Sequence, residues 1–315
     1  MAEDTTHKDD IELLRGVRRG LAARPKTLEP KWFYDETGSA LFEEITQLSE
    51  YYPTRTELAI LSQAADALAR YLPAGGALVE LGSGASRKTR TLIEAAPHLA
   101  AYLPIDISEE FLHSVARDLR KRYPALEIAP VVADFTRPLS LPAPFHTMPK
   151  AAFFPGSTIG NFLPAEAMVL LRQVRDWQTV EHFIIGIDLV KDTETLIAAY
   201  DDAQGITAAF NRNILRRINR ELAADFDLSG FDHEARWNSA QSRIEMHLVS
   251  QRDQTVTIAG DQYAFQAGES IHTENSHKYT EKGFTSLAAQ AGWEVTDFIT
   301  DPHDFFAVAI LTPAD

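Results

Sequence analysis

The run LVELGSG at residues 78–84 decides the fold, because an apolar strand pattern there ends on two closely spaced glycines and passes directly into a helical one. ALVELGS (77–83) reads as a buried strand and 86–96 as the helix that follows. Glycine allows a tight turn and lets the backbone approach a ligand where a Cβ would collide. The helix start adds N–H groups that have no acceptor within the helix. A dinucleotide loop of the form G-x-G-x-x-G would bring a pyrophosphate onto that helix end. Here the run is GSGASR, with Arg87 in place of the third glycine. Two glycines with an acid nearby suit a nucleoside that carries no phosphate.

Strands and helices alternate outward from this loop. AYLPIDIS (101–108) reads as a strand, 109–122 as a helix, LEIAPVVADF (126–135) and AAFFPGST (151–158) as strands, 164–176 as a helix and HFIIGIDL (182–189) as a strand. Such alternation implies right-handed crossovers and an α/β, doubly wound, mainly parallel sheet. Before it, residues 1–10 read as a frayed terminus and 11–24 as a short helix with Ile11, Leu13, Leu14 and Val17 on one side. Residues 31–57 hold a helical stretch around 39–48 with aromatics dense at both ends, and 56–72 resume a helical period. After Lys191, residues 192–223 read as helical, and 243–249 with 254–259 as an antiparallel meander. A last helix and two strands close the sheet. The expected architecture is an N-terminal arm (1–60), a core (61–195 with 286–315) and an inserted α+β domain (196–285).

Asp and Glu outnumber Lys and Arg by 45 to 30, a net charge of −15. Nucleic-acid binders draw much of their affinity from a basic face that neutralises phosphates. The basic stretches RGVRRG (15–20) and RKRY (120–123) each sit in a mixed-charge helical pattern and read as solvated faces. Cysteine is absent, which excludes disulfides, thiolate metal sites and a cysteine nucleophile. The polar first thirty residues lead us to expect no signal peptide, and no apolar run reaches the length of a membrane span. These features lead us to expect a soluble, cytoplasmic monomer acting on a small molecule, without nucleic-acid, membrane or protein partners.

Two further acids define the ligand. Asp106 ends the second strand, where a carboxylate can accept both ribose hydroxyls. Asp134 and Phe135 end the next, placed to hold an adenine amino group and to cover its ring. Each alone is as readily a turn or helix-capping residue; all three features in register at carboxyl strand ends form a constellation. S-adenosylmethionine meets the requirement, being a phosphate-free nucleoside with a sulfonium and a zwitterionic amino acid end.

LVELGSGASRKTRTLIEA, PIDIS, VADFT and GSTIGNF together resemble class I methyltransferases, and within them the histidine Nα-methyltransferases of ergothioneine synthesis. KWFYDETGSALFEEITQLSEYYPTRTE, DLVKD, YDDAQGITAAFNRN, INRELAADFD, ARWNSAQSRIEMHL and TENSHKY extend the resemblance over nearly all of the chain beyond the first thirty residues. It implies a Rossmann-like core and S-adenosyl-L-methionine held by Tyr34, Gly82, Ser83, Gly84, Lys88, Asp106, Asp134 and Phe135. The implied activity is trimethylation of L-histidine at its α-nitrogen to hercynine.

Methyl transfer needs a nucleophile with a free lone pair, in line with the methyl group and shielded from water. In GSTIGN (156–161), Gly156 and Thr158 offer backbone groups to an amine, and Asn161 can bridge amine and carboxylate. Asn161 alone also reads as a helix N-cap before FLPAEA. By resemblance, Asn161 and Tyr200 bind the amino acid end, with Gly156 and Thr158 alongside. Tyr34 stands beside the reacting amine, Tyr51 faces the imidazole and Phe42 walls the pocket; Tyr34 and Asn161 form the catalytic pair. Without the resemblance, these arm aromatics simply pack the arm. A neutral imidazole presents one donor and one acceptor, which Glu274 and Ser276 can answer from one strand face. Taken alone, Glu274 reads as a surface carboxylate and Met246 as a core filler, and it is the resemblance that implies an imidazole-reading pair at 274 and 276 and a pocket methionine at 246.

Three rivals remain at this point. Another amine such as tryptophan or a biogenic amine could be methylated, although an indole needs only one acceptor and much more room than an imidazole read by Glu274. A nicotinamide-dependent oxidoreductase would want the missing glycine, and a non-catalytic cofactor-binding module would not need Tyr34 and Asn161. His272 and His277 match no zinc spacing, so no metal is expected. His247, one residue past Met246, should point away from it.

Overall fold

Strand Ala77–Leu81 is buried from end to end because its side chains alternate between two apolar layers. Ala77, Val79 and Leu81 join Phe154, Phe183 and Trp293 in one layer, and Leu78 joins Leu61, Leu92 and Phe153 in the other. Parallel strands covered on both faces need this continuous apolar character. The structure, a computed structural model, describes residues 2–314. Met1, read with the N-terminal arm, and Asp315, read with the core, lie outside the described residues. The chain divides into two compact units, 53–190 with 277–315 and 1–52 with 191–276. Most of the arm and most of the insertion, read as separate segments, thus fall in one unit, while residues 53–60 of the expected arm and 277–285 of the expected insertion fall in the other.

In the first of these units the strands follow the order Trp293–Thr300, Phe306–Pro313, Val180–Asp188, Lys150–Phe154, Ala77–Leu81 and Ala101–Asp106. Two short strands, Glu127–Ile128 and Val131–Val132, both pair with Ala101–Asp106. Phe306–Pro313 is antiparallel to both its neighbours, and the other pairings are parallel. This is the expected α/β, doubly wound sheet. Chain order reverses at Ala77–Leu81, and the ligand crevice of such a sheet opens at that switch point, beyond the carboxyl strand ends. The strand read over 126–135 is broken. Pro130 has no N–H to give the ladder, and Asp134 and Phe135 stand in the turn beyond Val132.

In the other unit, Lys26–Thr27, Ser270–His277, Arg243–Ser250 and Phe231–Asn238 are neighbours in that order, and helix Ile206–Leu222 packs on the last two. The helix read over 192–223 is two, Thr193–Ala198 and Ile206–Leu222. Gly205 takes a φ of +73°, and the Asp202 carboxylate accepts the N–H groups of Ile206 (3.0 Å) and Thr207 (2.7 Å), so a second helix starts there. The meander is also rearranged. Gln254–Ile258 pairs with Asp261–Phe265 as its own hairpin, and Arg243–Ser250 pairs with Phe231–Asn238, a strand not expected from periodicity. The N-terminal helix spans Ala2–Ala22, taking in residues read as frayed.

Candidate active site

Gly82 and Gly84 take φ values of +66° and +47°, where a side chain would be strained. A Cβ on Gly82 would stand 3.3 Å from Phe135 Cε1, so this glycine gives the Phe135 ring room against the loop. The Gly84 N–H donates to Asp106 Oδ2 (2.9 Å) and the Ser108 N–H to Oδ1 (3.0 Å). Asp106 is thereby held to the glycine loop, and each oxygen keeps a lone pair for a ligand hydroxyl. Asp134 accepts the Thr136 N–H at 3.0 Å, and Phe135 lies edge-on to Phe154 at 5.4 Å. Ser83 Oγ is buried with no hydrogen-bond partner among the described residues. A strained glycine loop, a half-buried acid fixed beside it and an unpartnered hydroxyl fit the phosphate-free nucleoside expected here.

Two groups around this loop carry more than the sequence suggested. Glu80 is buried against Tyr102, whose hydroxyl donates to it, and burial pushes Glu80 up to about 8 despite that bond. Ile107, directly after Asp106, is an apolar side chain left 48% exposed at a strand end. Lys88, on helix Arg87–Ala95, pairs with the buried Glu57 at 2.6 Å.

The loop 156–161 is fastened throughout. The Gly156 N–H donates to both oxygens of Glu57 (2.9 and 3.1 Å), and Ser157 Oγ accepts the Asp188 N–H (2.9 Å). Thr158 Oγ1 donates to the Pro155 carbonyl (2.8 Å), and His277 Nδ1 lies 2.9 Å from the Gly160 carbonyl. With the Gly156 N–H and the Thr158 proton already used, these residues present acceptors, the complement of an amine. Asn161 ends the short turn Thr158–Asn161 and is not the cap of the next helix. Leu163 takes that place, its N–H bonded to Glu166 Oε2 at 2.8 Å.

In the other unit an unbroken line of rings joins the residues singled out in the arm. Tyr34 meets Phe42 edge-on at 5.8 Å, Phe42 meets Tyr51 at 6.3 Å, and Tyr51 meets Tyr200 at 6.1 Å. The Tyr200 hydroxyl lies 2.7 Å from Ser276 Oγ. Phe210, which the sequence did not single out, touches both Tyr34 (5.7 Å) and Phe42 (6.0 Å) from helix Ile206–Leu222. Along Ser270–His277 burial alternates through Ile271 and Thr273, then shifts phase, so that Glu274 and Ser276 are buried around a half-buried Asn275. Met246 is buried on the adjacent strand, its carbonyl accepting from Thr273 Oγ1 at 3.0 Å.

His272 and His277 part company: His272 groups instead with Glu245 and His247, their ligand-capable atoms within 4.8 Å of one another. Spacing in sequence could not show this, since the trio spans two strands. The Glu245 carboxylate is occupied by Arg243 and Asn238, and the two imidazoles stack at 5.0 Å with 21° between planes. Near-parallel rings do not aim two in-plane lone pairs at one ion. Burial alone would raise Glu245, but hydrogen bonds from Asn238, Arg243 and His247 outweigh it and hold the carboxyl down to about 2. The trio is a hydrogen-bonded charge network in this structure.

The profile of a family described as histidine-specific, S-adenosylmethionine-dependent methyltransferase matches residues 13–313. The chain is 45% identical over 307 residues to the histidine N-alpha-methyltransferase of Mycolicibacterium smegmatis, covering 95% of this chain and 94% of that one. It is 40% identical to the histidine N-alpha-methyltransferase of Mycobacterium tuberculosis, covering 98% and 97%. It is also 29% identical to the ergothioneine biosynthesis protein 1 of Neurospora crassa, covering 86% of this chain and 31% of that longer protein. The oxidoreductase alternative falls with these matches. The chain belongs to the S-adenosylmethionine-dependent, histidine-specific methyltransferase family.

Proposed function

We propose that this enzyme methylates the α-nitrogen of L-histidine three times, giving hercynine in the opening reaction of ergothioneine synthesis. The observation that carries this reading is the 45% identity to a histidine N-alpha-methyltransferase across almost the whole of both chains. When bound, S-adenosylmethionine supplies an electrophilic methyl group on a sulfonium sulfur. Gly82, Ser83, Gly84, Lys88, Asp106, Asp134 and Phe135 hold the donor, with Tyr34 beside its methyl group. Asn161 and Tyr200 bind the amino acid end of histidine. The Gly156 carbonyl and Thr158 hydroxyl accept from the neutral amine and face positive charge as it develops on nitrogen. The last transfer yields a quaternary nitrogen with no N–H, which oxygens and aromatic faces stabilise without hydrogen bonds.

Glu274 and Ser276 read the two imidazole nitrogens, beside Phe42, Tyr51 and Met246. The protein acts as a cytoplasmic monomer, without nucleic-acid, membrane or protein partners. A net charge of −15 speaks against a phosphate-rich partner. Calorimetric titration of histidine in the presence of S-adenosylhomocysteine tests the imidazole assignment. Glu274→Ala should weaken histidine binding by about 10- to 100-fold, the value of a hydrogen bond to a charged group, and leave binding of S-adenosylhomocysteine within about twofold. Equal loss of both ligands would make Glu274 a structural residue.

A further inference from the structure

Glu57 sits in helix Tyr52–Gln63, outside the glycine loop, the acid strand ends and the 156–161 loop, and its carboxylate is fully buried. Buried polar groups need partners in place of water. One is the Lys88 ammonium, 2.6 Å from Oε2, on the helix that follows the glycine loop. The other is the Gly156 N–H, donated to both carboxylate oxygens at 2.9 and 3.1 Å. The backbone is shaped around the group on a third side: a Cβ on Gly186 would stand 2.0 Å from Glu57 Oε1. Gly156 itself takes a φ of +82° and packs close to the ammonium, for its own Cβ would stand 3.3 Å from Lys88 Nζ.

We propose that Glu57 is a positioning residue that locks Lys88, on the donor side, to the Gly156 turn, on the acceptor side, so that one buried carboxylate sets the register of methyl group and amine. It acts through both ends at once. By taking the Gly156 N–H it leaves the carbonyl as that residue's ligand-facing group, and by pairing Lys88 it fixes the cation beside the glycine loop. In-line transfer is sensitive to displacements of about 1 Å, so loss of the lock falls on turnover.

This inference rests on the donor and acceptor assignments proposed above, and its failure is distinguishable from theirs. If histidine is not the substrate, the wild-type protein fails to methylate it; if only this inference fails, the wild type and the Glu57 variant methylate it alike. The test is steady-state kinetics of Glu57→Gln, Lys88→Met and the double variant, with melting temperatures alongside. Glu57→Gln should lower kcat about 30- to 100-fold, with KM for histidine changed less than about fivefold. The double variant should be within about threefold of Lys88→Met alone, as expected when one residue acts through the other. Gly186→Ala, which pushes the carboxylate aside without removing its charge, should reproduce the loss of kcat and keeps the test open should Glu57→Gln fail to fold. Multiplicative losses in the double variant, or wild-type kcat in a folded Glu57→Gln or Gly186→Ala protein, would overturn the proposal.

Discussion

Glu80 shows what burial does to a single carboxyl group in this protein. It is fully buried in the strand that leads to the glycine loop, and burial raises it to about 8 against the Tyr102 hydrogen bond. Its folded value exceeds its unfolded one, so the neutral acid contributes stability that is fully present below about pH 4.5 and is lost as pH rises through about 8. Glu80→Gln imitates the neutral form. Thermal denaturation should therefore find the variant about 2 °C more stable than wild type at pH 9, with no such gain at pH 5. An equal gap at both pH values would contradict a titrating Glu80. Residues of this kind are hard to read from sequence. Glu57 looks like any polar position on a helix, and only the fold reveals that it meets Gly156 and Lys88. Asp106 and the paired glycines were legible, because their position at a strand end is itself written in the sequence. Phe210 was hidden in an ordinary helical stripe.

Among the elements, the segment around Tyr34 shows how the arm is held. Asp35 caps helix Glu36–Ile45, accepting the Gly38 N–H at 2.8 Å, and it also accepts from Asn213 (2.8 Å) and Arg220 (2.8 Å) on helix Ile206–Leu222. Burial would raise its carboxyl, but the bonds from Gly38, Arg220 and Asn213 outweigh it and hold it below the usual range. A lowered folded value gives stability that is present above the unfolded pKa and lost as pH falls through the folded one. Asp35→Ala should cost about 2 kcal/mol at pH 7, seen as a fall of about 4 °C in Tm. The gap should close in strong acid, and KM for histidine should rise more than KM for the methyl donor. A gap unchanged by acid would mean that packing, not the charge, accounts for the cost. The parallel strands and their helices were legible because their apolar runs are continuous. The breaks were not. Pro130 and Gly205 each interrupt a pattern whose apolar period runs on, and Phe231–Asn238 carries too many polar side chains to stand out as a strand.

On the scale of the whole molecule, the sheet order and the family segments tell different parts of the story. Gly82, Ser83, Gly84, Lys88, Asp106, Asp134 and Phe135, proposed to hold the donor, lie in the unit 53–190 with 277–315 around the switch point at Ala77–Leu81, while Tyr34, Phe42, Tyr51, Tyr200, Met246, Glu274 and Ser276 belong to the other. Chain pattern alone separated the arm from the insertion, because contacts such as Asp35 with Asn213 join residues 178 positions apart. Only the resemblance carried the reading from a methyl donor to a particular acceptor. The most direct measurement is a mass-spectrometric assay of the purified protein with S-adenosylmethionine and each of the twenty amino acids in turn. Histidine should gain three methyl groups, with kcat/KM at least about tenfold above any other amino acid, a margin worth roughly 1.4 kcal/mol. A better turnover of tryptophan or another amine, or a histidine product that stops at one methyl group, would contradict the account.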